Sequence, residues 1–239
     1  MKLIIILVLV IIIIIIFKKN YNEPFTNYDH FDYSDKLSLG DIKDLKKGQK
    51  IMTSMLKEFD RICRKYNLKY WCSCGTLIGV VRHKGWIPFD GDIDVGMLET
   101  DYKKLEHVIQ SELPNGMWFQ SIKTDKYYKS DISKIRYLNS NYKDYKSQDW
   151  HNGIQLDINI YKNNIIINNE IKPDIIFPLR EAKFDNVKVF IPNDYDKYLK
   201  IFFSNYMEIP PIEKRIPHEG RIEFNAPQWV KDKYPELYK

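Results

Sequence analysis

The stretch "CGTLIGVVRHKGWIPFDGDIDVGM", residues 74–97, opens on a Gly-Thr pair and closes on three aspartates at alternate positions, Asp90, Asp92 and Asp94. Alternate side chains of an extended segment leave the same face of a sheet. Asp92 and Asp94 are therefore expected side by side, with Ile93 and Val95 turned into the core. Asp90 joins them where the extended conformation begins early enough, a point that Pro88 and Gly91 leave open. Two unpaired carboxylates about 4 Å apart repel by roughly 4 kcal/mol at an effective dielectric near 20. Divalent cations remove that repulsion, and clustered carboxylate oxygens suit Mg²⁺ or Mn²⁺. The competing reading is a solvated edge strand whose aspartates discourage aggregation. A helix-loop-helix calcium site is excluded. Its sixth position, which needs Gly, is Val95, its twelfth is Asp101 rather than Glu, and Pro88 lies where the preceding helix should be.

Outward from this stretch, apolar residues from Ile51 to Cys63 recur at helical spacing, which predicts a helix from Asp41 to about Tyr66 ending at Asn67. "KYWCSC", residues 69–74, reads as a strand closed by Gly75. Gly75-Thr76 then turns the chain into a brief helix, "LIGVVRHKG", and "DIDVGM" is the next strand. A helix, "TDYKKLEHVIQSEL", follows with Thr100 or Asp101 at its start. Strands are expected at "GMWFQSI", "SKIRYLN" and "GIQLDINIY", and a hairpin at "EAKF" and "VKVFIP" turns at Asp185-Asn186. A helix from about Asp194 to Asn205 precedes a proline-rich tail, from Ile209, expected to be mostly irregular. Strands and helices without regular alternation indicate an α+β domain, a mixed sheet with flanking helices.

Hydrophobic residues make up 44% of the 239-residue chain, enough for a real core in one domain of ordinary size. The net charge of +5 is spread along the sequence, without the basic run or repeating aromatic platform of a nucleic-acid binder. No nucleic-acid partner is expected. Cys63, Cys72 and Cys74 do not make a disulfide framework, and Cys72-Ser-Cys74 is too closely spaced for a zinc knuckle. At the N-terminus, Leu3–Phe17 is an unbroken apolar run between Lys2 and Lys18-Lys19. As a helix it is about 22 Å long, and Met1 with a snorkelling Lys2 brings it to the low end of the spanning range. A cleaved signal peptide competes, but no Ala, Gly or Ser occurs before Ser34 to form a cleavage site. The reading is a single-pass membrane anchor over 1–19, with orientation unresolved, a tether over 20–40, and a catalytic domain over 41–239.

A strand, Gly75-Thr76, a short helix and then a strand carrying Asp-x-Asp is similar to the nucleotidyltransferase superfamily. Within it, the chain resembles the LicD family, which includes fukutin-related proteins. Gly75, Thr76, Leu77, Gly79, Arg82, Gly85, Ile87, Pro88, Asp90, Asp92 and Asp94 stand at matching positions. The resemblance returns in "GIQLDINIY", "FPLREAKFDNVKVFIPNDYDKYL" and "PPIEKRIPHEG", so it covers about Asp41 to Gly220. There are departures: Phe89 replaces the usual Trp, Gly91 replaces the middle acid, and Cys74 stands where a small residue is common.

The resemblance implies a phosphotransferase that moves a phosphocholine or polyol-phosphate group from a CDP-activated donor to a glycan or glycoconjugate hydroxyl. It implies catalytic Asp92, Asp94 and Asp157, the last from a later strand, with Asp90, Asp92, Asp94 and Asp157 holding Mg²⁺ or Mn²⁺. Gly75 and Thr76 are expected to seat the donor diphosphate, where glycine permits close approach and helix-start N–H groups attract negative charge. Arg82 and Lys84 are candidates for the same diphosphate, and Lys134 and Arg136, two apart on one strand face, are weaker ones. His83, His151 and His218 are read as structural or rim residues. Two alternatives stay open: a nucleotidyltransferase that releases pyrophosphate, and a non-catalytic, membrane-tethered glycan-binding protein.

Overall fold

Ser38 starts the first long helix by a reciprocal cap. Its Oγ accepts from the Asp41 N–H at 3.1 Å, while the Ser38 N–H donates to Asp41 Oδ2 at 3.0 Å. Helix α1 runs from Leu39 to Lys65 and buries Leu45, Met52, Met55, Leu56, Phe59, Ile62 and Cys63 along one stripe. It ends before Asn67, which takes the left-handed conformation at φ 52°. The computed structural model describes residues 31–144, 149–162 and 171–239. The expected anchor over 1–19 and the first part of the tether lie outside the described residues. Among the described residues, no helix is long and apolar enough to cross a membrane.

Strand β1 (Tyr70–Cys72) leads into α2 (Cys74–Ile78), which continues as a wider π-type turn over Gly79–His83. The remaining elements are β2 (Ile93–Leu98), α3 (Glu99–Glu112), β3 (Met117–Gln120), β4 (Ser133–Tyr137), β5 (Asn141–Tyr142), β6 (Gln155–Tyr161), α4 (Pro173–Ile176), β7 (Arg180–Phe184), β8 (Val187–Ile191), α5 (Tyr195–Phe202), β9 (Ile222–Glu223) and α6 (Gln228–Lys233). The main sheet has the order β1-β2-β6-β4-β3. Its central pair, β2 and β6, is parallel, while β1, β4 and β3 join antiparallel, so the sheet is mixed. Ile93, Val95, Met97, Leu156 and Ile158 are fully buried on these central strands. At Gly96 a Cβ would lie 2.5 Å from the Trp71 ring, so glycine lets the indole of β1 cross its partner strand.

The strands and helices expected within the described residues are present, with four adjustments. The turn from β1 into α2 falls on Cys74, at φ 45°, one residue before Gly75-Thr76. Helix α3 begins at Glu99 behind Leu98, without a side-chain cap from Thr100 or Asp101. The last part of the tether packs on the body: Ser34 is buried and donates its N–H to the Arg215 carbonyl, and Arg215 donates to the Asp32 carbonyl. The tail is also more ordered than its prolines suggest. β9 pairs with β5, Tyr142 opposite Ile222, and α6 buries Val230 beside Trp118 and Tyr234.

Candidate active site

Parallel pairing sets Asp94 of β2 directly against Asp157 of β6. Asp92, just before β2, shares their face because the buried Ile93 separates it from Asp94. Ligand oxygens of Asp92, Asp94 and Asp157 all lie within 4.8 Å of one another. Asp92 and Asp157 are buried, Asp94 half-buried. Burial pushes the Asp92 carboxyl well above the usual carboxylate range, and Asp94 adds to the shift. Burial and then Asp157 raise Asp94 to about 7, against the lowering effect of Asn159. Such a site favours protons or cations over bare charge.

Neighbouring side chains aim these acids. Lys134 Nζ donates to Asp157 Oδ2 at 2.5 Å, leaving Oδ1 buried and without a hydrogen-bond partner among the described residues. Gln155 Nε2 lies 3.4 Å from both Asp92 Oδ2 and Asp157 Oδ2. Arg136 holds the other end of that amide, donating to Gln155 Oε1 and the Gly153 carbonyl, each at 2.7 Å. Asn159 Nδ2 donates to Asp94 Oδ1 at 3.3 Å, and the Thr76 hydroxyl accepts from the Asp94 N–H at 2.8 Å. The loop before β2 is pinned from two sides. Gln49 Nε2 reaches the carbonyls of Ile87, Pro88 and Asp90, and the Tyr142 hydroxyl donates to the Gly91 carbonyl at 2.7 Å.

Other expected site residues have different surroundings. Asp90 lies outside the convergent groups, because it closes a turn by donating its N–H to the Ile87 carbonyl and the strand begins only at Ile93. Its carboxylate rests on Gly75, where a Cβ would come 2.5 Å from Asp90 Oδ2. Glycine at 75 thus makes room for a side chain of this protein. Arg82 Nη1 donates to the Tyr206 and Glu208 carbonyls at 2.6 Å each, holding the segment after α5. Lys84 is exposed and bonded to the Val81 carbonyl. Arg136 lies behind the acids, 1% exposed, and supports Gln155. Burial pushes the Cys74 thiol up to about 12, which keeps it in the thiol form.

A second group also converges. Asp92, His218 and Glu219 offer ligand atoms within 4.8 Å of one another, with His218 at the exposed rim. Glu219 is 5% exposed, and Oε1 contacts His218 Nε2. That contact raises His218 to about 9. Glu219, Gln155 and Gln49 carry no motif that marks them in the sequence. A polar residue inside an apolar stripe was the available signal for Gln49, and a position two before Asp157 on one strand face was that for Gln155.

Residues 67–194 match the family model described as "LicD/FKTN/FKRP, nucleotidyltransferase domain". The chain belongs to the LicD/FKTN/FKRP family. The matched segment carries β2, β6 and the acids Asp92, Asp94 and Asp157, while His218 and Glu219 lie beyond it. Among curated relatives, an uncharacterized Rickettsia typhi protein, RT0683, is 31% identical over 184 residues, 77% of this chain and 47% of that protein. The lipopolysaccharide cholinephosphotransferase LicD of Haemophilus influenzae is 34% identical over 90 residues, 38% of this chain and 30% of LicD. The human ribitol 5-phosphate transferase FKRP is 23% identical over 148 residues, 57% of this chain and 28% of FKRP. The chain therefore spans about half or less of the length of these three relatives.

The donor set fits a hard divalent cation. Three carboxylates on and just before two adjacent strands supply oxygen ligands, and Asp157 Oδ1 is buried without a hydrogen-bond partner among the described residues. Asp92, Asp94 and Asp157 would hold such an ion.

Proposed function

We propose that this protein transfers a phospho-alcohol group, of phosphocholine or polyol-phosphate type, from a CDP-activated donor to a hydroxyl of a glycan or glycoconjugate. The observation that carries the reading is the register of Asp94 against Asp157, with Asp92 beside them. The relatives with named activities, a cholinephosphotransferase and a ribitol 5-phosphate transferase, support the transferred group's class. A cleft of about 670 Å³, whose lining includes Tyr102, Ser133, Asn159 and Tyr161, has the size of a small-molecule site. Asn159 joins it to Asp94 through their hydrogen bond.

In this reading the acceptor oxygen attacks the phosphorus, the bond to the cytidine monophosphate oxygen breaks, and the acceptor proton passes to Asp157. Lys134 keeps one oxygen of Asp157 in place, and Gln155 and Asn159 hold Asp92 and Asp94 for binding. Bound Mg²⁺ or Mn²⁺ would neutralise charge on the departing nucleotide. Gly75 and Thr76 border the acids and are assigned to the donor side. Membrane attachment through Leu3–Phe17 belongs to the same proposal, placing the enzyme near glycoconjugate acceptors.

The test is incubation of the full chain, in detergent, with a panel of CDP-conjugates, a glycan acceptor and Mn²⁺. Release of CMP that needs Asp94 supports the reading. Release of pyrophosphate from a nucleoside triphosphate instead favours nucleotidyl transfer, and glycan binding unchanged by EDTA without turnover favours a binding protein.

A further inference from the structure

Gly91 stands where the family pattern carries its middle acid, and the structure shows what fills the space. A Cβ on Gly91 would lie 2.3 Å from Glu219 Oε2 and 3.1 Å from the Pro217 side chain. The missing side chain therefore admits a glutamate from far along the chain. That glutamate is held from both sides: β9 follows it and pairs with β5, whose Tyr142 donates to the Gly91 carbonyl. Ile222 of β9 in turn packs where a side chain at Gly48 of α1 would stand, 2.5 Å from Ile222 Cδ1.

Glu219 is 5% exposed, and His218 touches only Oε1; Oε2 has no hydrogen-bond partner among the described residues. A carboxylate oxygen taken out of water without a partner costs several kcal/mol, and His218 meets only Oε1, so Oε2 still calls for a positive ligand. Asp92 is common to both convergent groups, with Asp94 and Asp157 in one and with His218 and Glu219 in the other. A carboxylate has two oxygens, so one side chain can serve two ions about 3.5–4 Å apart.

We propose that Asp92, His218 and Glu219 form a second divalent-cation subsite, sharing Asp92 with the aspartate triad. Its mix of carboxylates and one imidazole suits Mn²⁺ better than Mg²⁺. The subsite rests on the reading of Asp92, Asp94 and Asp157 as a cation centre and extends it with two residues outside the matched family segment.

Mn²⁺ binding to the full-length, detergent-solubilised protein tests this, read by isothermal titration and by loss of the free-ion electron paramagnetic resonance signal. The wild type is expected to bind two ions per chain, and Glu219→Gln one, with unchanged secondary structure by circular dichroism. Asp157→Asn should also bind one, because it empties the other subsite. His218→Ala, whose side chain is 77% exposed, keeps the fold and should weaken the second ion about tenfold even if Glu219→Gln does not fold. One ion in the wild type, lost in Asp157→Asn and kept at full affinity in His218→Ala, leaves His218–Glu219 an ordinary ion pair and overturns the subsite alone. No bound ion in the wild type overturns the triad and the proposed function with it.

Discussion

Gly91 and Glu219 share one volume: a Cβ on the glycine would sit 2.3 Å from the glutamate's Oε2. The obstructing atom ends a flexible side chain, so Gly91→Ala should displace the carboxylate rather than unfold the protein. Expected are a stability loss of about 1–3 kcal/mol, typical of overpacking, and weaker Mn²⁺ uptake. Denaturant unfolding and Mn²⁺ titration of the same variant check both. Gly91→Asp combined with Glu219→Ala, which restores the family's middle acid, should recover the uptake.

Asp157 meets Asp94 only because β6 lies parallel beside β2 in this register. Asp157→Asn keeps the shape but removes charge from the cation site. It is expected to lower phosphotransfer at least about 100-fold while leaving secondary structure intact, measured by CMP release and circular dichroism. Undiminished turnover would remove Asp157 from the chemistry.

Gln155 touches both Asp92 and Asp157 and is itself held by Arg136. Groups that orient metal ligands commonly affect affinity about 10–100-fold. Gln155→Leu should therefore weaken Mn²⁺ binding by that range. Equal affinities in titration calorimetry would make the amide a packing group only.

Gln49 offers one amide to three loop carbonyls, those of Ile87, Pro88 and Asp90. Gln49→Leu preserves bulk but leaves these acceptors without that donor, at a cost of about 1–3 kcal/mol. The measurement is the urea midpoint of the variant against the wild type.

His151 sits among Trp118, Tyr234 and Tyr238, accepts from the Gly153 N–H at Nδ1, and is lowered to about 3 chiefly by burial. Its unfolded value is about 6.5. Between these values the unfolded chain binds the proton that the folded one refuses. The His151 contribution is thus complete above about pH 6.5 and is lost as pH falls toward 3. His83, lowered to about 4 by burial and Arg82, acts in the same direction. Denaturation at about pH 7.5 and pH 5 should show the wild type losing more stability on acidification than His151→Asn; parallel losses would contradict this.

Much of this arrangement was legible locally. Alternation around Ile93 paired Asp92 with Asp94, and "GIQLDINIY" read as the strand that carries Asp157; the α+β class followed from irregular alternation of elements. Residues whose role depends on distant partners were not legible. Arg82 looks like a phosphate ligand until the carbonyls of Tyr206 and Glu208 are seen to take it. Gly75 reads as a phosphate turn, and the structure adds that its bareness makes room for Asp90. Glu219 lies in a proline-rich tail with no periodicity, and only the β5–β9 pairing brings it over Gly91. Alternation left Asp90 open and the family resemblance placed it with the other acids, whereas the chain becomes extended only after it.

The central claim is that Asp92, Asp94 and Asp157 grip a divalent cation. Its most direct test is an anomalous-difference map from crystals of the protein soaked in Mn²⁺. A peak is expected about 2.0–2.3 Å from carboxylate oxygens of all three residues, absent in Asp94→Asn. A map from well-ordered wild-type crystals with no peak at this position would contradict it.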